Sequence, residues 1–275
     1  MIAVIVPTVR EEKFKEFMLS WQDLFIKHDI RLYVVNDGDK PTVNGISIKE
    51  VMGEYSDLIY NHNDGVRNLG FALAYKDGAD IFITLDDDTK PIGDPIQDHL
   101  DVLNSCYPVG WINTTNEDYM RGFPYGIREE AECVLSHGVW KGVADFDAST
   151  QLVKGITEQT FRRMVIPQGI LFPMCIMNVA VKRCLVPYFY QAPMFKDINR
   201  FADIWCGIEA KKKIDEVGWC AYTGRAEVLH ERASDPFVNL IKEAKGIQMN
   251  ENYGDDEYFK FYKKQRDRWF KFITQ

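Results

Sequence analysis

Asp80-Ile81-Phe82-Ile83-Thr84-Leu85-Asp86-Asp87-Asp88 is an apolar run that ends on three consecutive carboxylates. The run is short, β-branched and aromatic, which reads as a buried strand. Three acids at the end of such a strand repel one another and lose hydration unless something positive sits among them. A hard divalent cation is the simplest partner, because oxygen ligands suit magnesium or manganese. Side chains at i and i+2 of an extended segment share a face, so Asp86 and Asp88 can point into one site while Asp87 points elsewhere. The plainer alternative is that the acids cap a following helix or decorate a turn.

The flanking sequence places this strand in an α/β sheet. Residues 2–6 read as a buried strand ending at Pro7. Residues 13–27 carry apolar side chains at helical spacing (Phe14, Phe17, Met18, Trp21, Leu24, Phe25), and residues 32–35 form a second strand closed by Asn36-Asp37-Gly38-Asp39. Residues 66–76 read as the helix that leads into the strand before the triple acid. The alternation predicts a mainly parallel sheet with covering helices, and such sheets bind ligands beyond the carboxyl ends of their strands. Three strand ends then converge: Thr8 with Arg10, Asp37 to Asp39, and Asp86 to Asp88. Residues 110–151 show few long periodic segments, 204–217 read as a helix and 219–229 as two short strands. Asp86-x-Asp88 resembles the Asp-x-Asp arrangement by which nucleotide-sugar transferases hold a metal against a diphosphate, and on that expectation residues 1–250 read as one catalytic domain, its nucleotide half about 1–110 and its sugar half about 111–250. Residues 251–275 read as a C-terminal amphipathic helix with Tyr258, Tyr262 and Trp269 near one face and basic residues over the rest. Such a stripe more often packs on its own domain or a partner subunit than on a membrane surface.

The composition narrows the function classes. The chain has 275 residues, 46% of them hydrophobic, and a net charge of −8, which suits one large domain and argues against a nucleic-acid binder. An acidic protein that binds an anionic nucleotide must supply cations locally. The six cysteines form no Cys-x-x-Cys pair and no zinc-ligand spacing, so they read as reduced thiols in a cytoplasmic protein. No apolar run approaches the roughly 18 residues of a membrane span.

Several single residues stand out, each with a bland alternative. Asp37 sits in a strand-end turn, where an acid can accept from a uracil N–H or a ribose hydroxyl, or simply shape the turn. Arg67 opens a helix, a natural place for a diphosphate or for an ordinary ion pair. His230 ends an apolar stretch and can complete an oxygen-rich manganese site or serve as a structural hydrogen-bonding group. Arg121 and Arg128 bracket a Gly- and aromatic-rich segment, suited to phosphate or sugar or to surface pairing.

Taken together, the segments resemble the reversibly glycosylated polypeptides, the UDP-arabinopyranose mutase family. The resemblance rests on ordered blocks over about residues 2–246. They are Ile5-Val6-Pro7-Thr8-Val9-Arg10, Asp37-Gly38-Asp39, the triple-acid strand, Arg121-Gly122-Phe123-Pro124-Tyr125 and Ser136-His137-Gly138-Val139-Trp140. Further on come Asp145-Phe146-Asp147-Ala148-Ser149-Thr150-Gln151-Leu152-Val153-Lys154, Leu171-Phe172-Pro173-Met174-Cys175 and the block from His230 to Leu240. The resemblance implies a glycosyltransferase-A-type, Rossmann-like single domain, Mn2+ or Mg2+ as cofactor, and a nucleoside-diphosphate sugar, UDP-sugar favoured, as the bound partner. It implies a mutase interconverting pyranose and furanose rings, most simply of UDP-L-arabinose, and Arg121 matches the arginine that becomes glycosylated in the family.

On this basis Arg121, Arg128 and Asp203 are the expected catalytic residues, with Asp145 and Asp147 as further proton acceptors for an arginine nucleophile. Thr8, Arg10, Asp37, Gly38, Asp39, Arg67, Asp86 and Asp87 are the expected nucleotide-binding residues, and Asp86, Asp88 and His230 the expected metal ligands. Three departures from the plant pattern are Ala202 where relatives carry an acid, the Thr89-Lys90-Pro91 segment after the triple acid, and the lack of an extended carboxyl-terminal region. A metal-dependent glycosyltransferase, a mutase for another nucleotide sugar and a non-enzymatic partner subunit remain as alternatives, no membrane span or nucleic acid is expected, and a homo-oligomer is allowed.

Overall fold

The computed structural model describes residues 1–115, 118–143, 145–155, 159–194, 198–231 and 235–275. The strands in chain order are β1 (Ile2–Thr8), β2 (Ile30–Asn36), β3 (Thr42–Val43), β4 (Ile46–Ser47), β5 (Ile81–Leu85), β6 (Thr89–Pro91), β7 (Cys106–Tyr107), β8 (Ala131–Gly142), β9 (Met164–Val165), β10 (Asn178–Lys182) and β11 (Cys220–His230). The helices are α1 (Glu11–Lys27), α2 (Ile48–Met52), α3 (Arg67–Lys76), α4 (Pro95–Leu103), α5 (Ala148–Lys154), α6 (Ala202–Val217), α7 (Pro236–Glu251) and α8 (Glu257–Thr274).

The strands form one sheet in the order β4-β3-β2-β1-β5-β10-β8-β11-β6, with β7 added beside β8 and β9 beside β11. β1 runs parallel to β2 and β5, and β8 parallel to β11. β10 lies antiparallel between β5 and β8, so the sheet is mixed but mostly parallel. Alternation along each strand feeds two cores. Ala3 and Ile5 of β1 and Phe82 of β5 face the larger one, while Val4, Val6, Ile83 and Leu85 face α1 through Phe17, Trp21 and Phe25. A sheet covered on both faces in this way must be apolar on both, which is why β1 and β5 read as unbroken apolar runs.

Two expectations for the second half change. The segment 110–151 contains β8, the longest strand of the sheet among the described residues. Its periodicity is hidden by Ser136 and His137, which are buried polar groups. Residues 219–229 are one strand, β11, with register shifts on either side of Ala221–Thr223. Gly224 within the second shift has φ +101°, and a Cβ there would stand 2.1 Å from the Arg162 carbonyl oxygen, so the break in pattern is a bulge and not a turn.

The C-terminal stripe packs on its own domain. Tyr258, Tyr262 and Trp269 of α8 are buried in the larger core. Their polar tips are satisfied, by the Pro193, Tyr190 and Val186 carbonyls at 2.8, 2.7 and 3.0 Å. Each buried aromatic of this kind contributes about 2–3 kcal/mol. No helix is long and apolar enough to cross a membrane among the described residues.

Candidate active site

A cavity of about 1290 Å³ opens at the carboxyl ends of β5 and β11 and is walled by α5, α6 and α7. β5 delivers Asp86 and Asp88 to its floor, β11 delivers His230, and the first turn of α6 delivers Asp203. Asp64, Arg67, Asp145, Asp147 and Arg200 also line it.

The three acids separate as the i, i+2 pattern requires. Asp87 is turned away and buried, with Thr8 Oγ1 donating to it at 2.6 Å and Arg10 Nε at 3.2 Å. Thr8, Arg10 and Asp87 are absent from the cavity lining. They hold the strand end in shape, and Arg10 Nη2 reaches on to Asp88 at 3.1 Å. Asp86 pairs with the buried guanidinium of Arg67, which also donates to Thr84 Oγ1 at 2.7 Å and the Leu85 carbonyl at 3.3 Å. Arg67 thus braces the end of β5 from beneath the cavity, with the edge of its guanidinium at the floor.

His230 Nε2 lies 3.8 Å from Asp88 Oδ1. Its Nδ1 is 3.0 Å from the Val143 carbonyl oxygen, which only accepts, so in the neutral ring Nδ1 carries the proton and the Nε2 lone pair faces Asp88. Two carboxylates at i, i+2 and an oriented imidazole on one wall are a donor set that fits a divalent cation. Among the described residues no three acidic, histidine or cysteine side chains already converge as a ligand shell, because Asp86 is turned to Arg67. Asp86, Asp88 and His230 are the side chains that would hold such a cation.

Asp203 and Asp64 are half-buried and line the cavity. Burial, then repulsion from Asp64 and Asp145, pushes the Asp203 carboxyl well above the usual range. Asp64 is also raised by burial, against the pull of Arg67. Cys175 lines the same wall, and burial followed by the charge of Asp145 pushes its thiol up, so it stays protonated and unsuited to nucleophilic attack.

Asp37 stands beside the cavity at the end of β2. It accepts the His62 backbone N–H at 2.5 Å, and burial raises its carboxyl to about 6. Asn61 Nδ2 donates to the Gly38 carbonyl at 3.2 Å, and Asp39 pairs with His62 Nε2 at 3.2 Å. The turn is therefore tied to the 61–63 loop, with the second Asp37 oxygen outside that bond.

Arg121 and Arg128 lie elsewhere. Both precede β8, on the loop beneath its amino end, whereas the cavity begins at Val143, just past its carboxyl end. The whole length of β8, on the order of 35 Å at about 3.3 Å per residue, lies between the end of that loop and Val143. Arg128 is stacked on Tyr119 and Tyr125, 4.2 and 3.9 Å from the ring centroids, and donates to the Phe123 carbonyl at 3.4 Å, so it pins the loop to itself. Arg121 is exposed. Residues 232–234 of the block after His230 lie outside the described residues.

Sequence reading did not assign Asp64, Cys175, Arg200 or Glu243 to the site. Asn63-Asp64-Gly65, a turn signal just before the Arg67 helix, was the one local cue; the others come together only through the fold.

The family model described as reversibly glycosylated polypeptide matches residues 1–263. This chain belongs to that family. Curated relatives include the probable UDP-arabinopyranose mutase 4 of Arabidopsis thaliana, 34% identical over 282 residues, covering 90% of this chain and 75% of the relative. UDP-arabinopyranose mutase 1 of rice (Oryza sativa subsp. japonica) is 34% identical over 283 residues, covering 90% and 75%. Among solved structures, glucosyl-3-phosphoglycerate synthase of Mycobacterium tuberculosis, in complex with Mn2+, UDP and phosphoglyceric acid, is similar with a TM-score of 0.54 at 14% identity, covering 94% of this chain and 80% of that one. That likeness establishes the glycosyltransferase-A-type fold for this chain.

Proposed function

We propose that this protein is a nucleotide-sugar mutase that interconverts UDP-L-arabinopyranose and UDP-L-arabinofuranose. The observation that carries the reading is the cavity at the strand ends, where Asp86, Asp88 and His230 stand on one wall and Asp203, a carboxyl pushed upward by burial and by its acidic neighbours, on another. It is supported by relatives named for that activity over 90% of the chain.

A divalent cation held by Asp86, Asp88 and His230 would supply Lewis-acid stabilisation to the departing diphosphate. The residues of the chain account for the rest. A change of ring size needs one sugar hydroxyl to lose a proton as it attacks C1 and the former ring oxygen to gain one as its C1 bond breaks. No proton is consumed overall, so a single buried carboxyl that gives and retakes one proton suffices. The upward-shifted carboxyl of Asp203 at the cavity wall supports that role for it. Asp64 and Asp145 keep it poised, because their charges disfavour its ionisation.

The test is incubation with Mn2+ and UDP-L-arabinopyranose without any acceptor, followed by chromatography. Appearance of the furanose isomer is expected, and Asp203→Asn should lower kcat about 100-fold or more. Release of free arabinose and UDP with no isomer would instead mark a transferase. A glycosyl-arginine at Arg121 is the covalent version of the reading, and it asks the loop before β8 to meet a cavity at the strand's other end. Peptide mapping after exposure to the UDP-sugar tests it, and a map with no sugar on Arg121 removes it.

A further inference from the structure

Nine carboxylates line the cavity against three side-chain cations, Arg67, Arg200 and Lys242. A diphosphate entering such a field needs cations whose hydrogen-bond donors are available. Arg67 is committed, since its Nη groups serve Thr84, Leu85 and Asp86.

Arg200 is built differently. It is held at φ +62°, a left-handed conformation that long side chains adopt at a cost, and it is the one cavity-lining residue among the described non-glycine residues with positive φ. The Asn199 side chain accepts the Arg200 backbone N–H at 2.8 Å. The next residue, Phe201, presses on Gly246 of α7 where a Cβ would come within 2.2 Å of its ring. The turn therefore cannot relax without moving α7. The guanidinium is then gripped by one edge: Nε donates to Glu243 Oε1 at 2.8 Å, while Glu243 Oε2 accepts the Ala148 N–H at 2.8 Å. Glu243 is buried, so its charge stays fixed to that edge. Among the described residues no hydrogen bond engages the Nη groups, and the side chain remains one-third exposed, at the cavity wall.

We propose that Arg200 binds a phosphate of the nucleoside diphosphate through its Nη edge, with Glu243 as the positioning residue that aims it. The inference rests on the nucleotide-sugar reading above. Planar guanidinium donors fixed on one edge are suited to bidentate phosphate recognition.

Calorimetric titration of UDP and of uridine, each with Mn2+ present, separates phosphate contacts from base contacts. Arg200→Ala is expected to weaken UDP about 30-fold and leave uridine unchanged. Arg200→Lys should recover part of the loss as a point charge, and Glu243→Gln should weaken UDP with uridine again unchanged. UDP affinity within about twofold of wild type in a folded Arg200→Ala protein overturns the proposal, as does an equal loss for UDP and uridine. Should Arg200→Ala fail to fold, Arg200→Lys decides on the same UDP-to-uridine comparison. Wild-type protein that binds neither compound overturns the nucleotide reading and this inference with it, an outcome distinct from the other two.

Discussion

Asp86, Asp87 and Asp88 are chemically identical and do three different things. Asp87 sits under Thr8 and Arg10 and serves the fold. Asp86 sits on Arg67, and Asp88 lies beside His230 on the same wall of the cavity. What distinguishes them is the pleat, which sends neighbours to opposite faces, and the partners the fold then brings. Asp37 shows how such a setting becomes a measurable pH response. Burial raises its carboxyl to about 6, against the pull of the His62 N–H. Because the shift is upward, the carboxylate form dominates only above that pH, and the protonated form below it. A uracil N–H needs the carboxylate as acceptor. UDP affinity should therefore weaken about tenfold between pH 7 and pH 5, and Asp37→Asn should flatten that dependence while weakening binding at pH 7. Titrations of UDP across that range check it, and an equal slope in wild type and variant would remove Asp37 from base recognition. For stability the sign is opposite to that of a salt-bridged acid: with the folded value raised, Asp37 favours the folded state at low pH and loses that contribution as pH rises through about 6.

At the scale of elements, legibility followed packing. β1, β5 and α1 were readable because each buries a regular apolar face, and the triple acid was readable because its spacing alone splits it. β8 was not, because its centre is a polar junction. His99 of α4 bridges Ser136 Oγ at 2.8 Å and Asn178 Oδ1 at 2.9 Å, and Asn178 Nδ2 spans to the Val139 and Ala226 carbonyls at 3.3 and 3.2 Å. The network ties α4, β8, β10 and β11 together, and burial accordingly keeps His99 neutral, its pKa lowered to about 4. A satisfied buried network looks like a loop when only its sequence is seen. Arg200 and Glu243 were illegible for another reason: their ion pair spans 43 positions, and nothing local to either announces it. Gly138 is the tightest point of the β8 junction, since a Cβ there would meet Asn178 Nδ2 at 2.0 Å. Gly138→Ala must displace Asn178 and take its side chain away from the Val139 and Ala226 carbonyls and from His99 Nε2. Urea unfolding is expected to show a loss of about 3 kcal/mol, where an exposed glycine such as Gly126 changed to Ala should stay within about 0.5 kcal/mol.

For the whole molecule, the cavity is closed by two stretches that sequence alone could not join. Residues 64–88 supply its floor, and residues 143–251 supply the opposite walls. A ligand that touches both is linked to the stability of the entire fold. UDP at 100 times its dissociation constant adds about 2.7 kcal/mol, which for a chain of this size corresponds to a rise of about 5–8 °C in melting temperature. The rise should need Mn2+ and shrink when the metal is chelated. The two neighbouring aspartates then give opposite signatures. Asp87→Asn breaks a buried charge held by Thr8 and Arg10, so it should lower the melting temperature of the ligand-free protein and leave the UDP-dependent rise in place. Asp88→Asn removes a proposed ligand at the cavity wall, so it should leave the ligand-free melting temperature closer to wild type and abolish the Mn2+-dependent part of the rise. Paired melting curves, with and without UDP and Mn2+, read both effects at once. If the two variants lose the ligand increment equally, Asp87 belongs to the site after all; if neither loses it, the cation is not held by the end of β5.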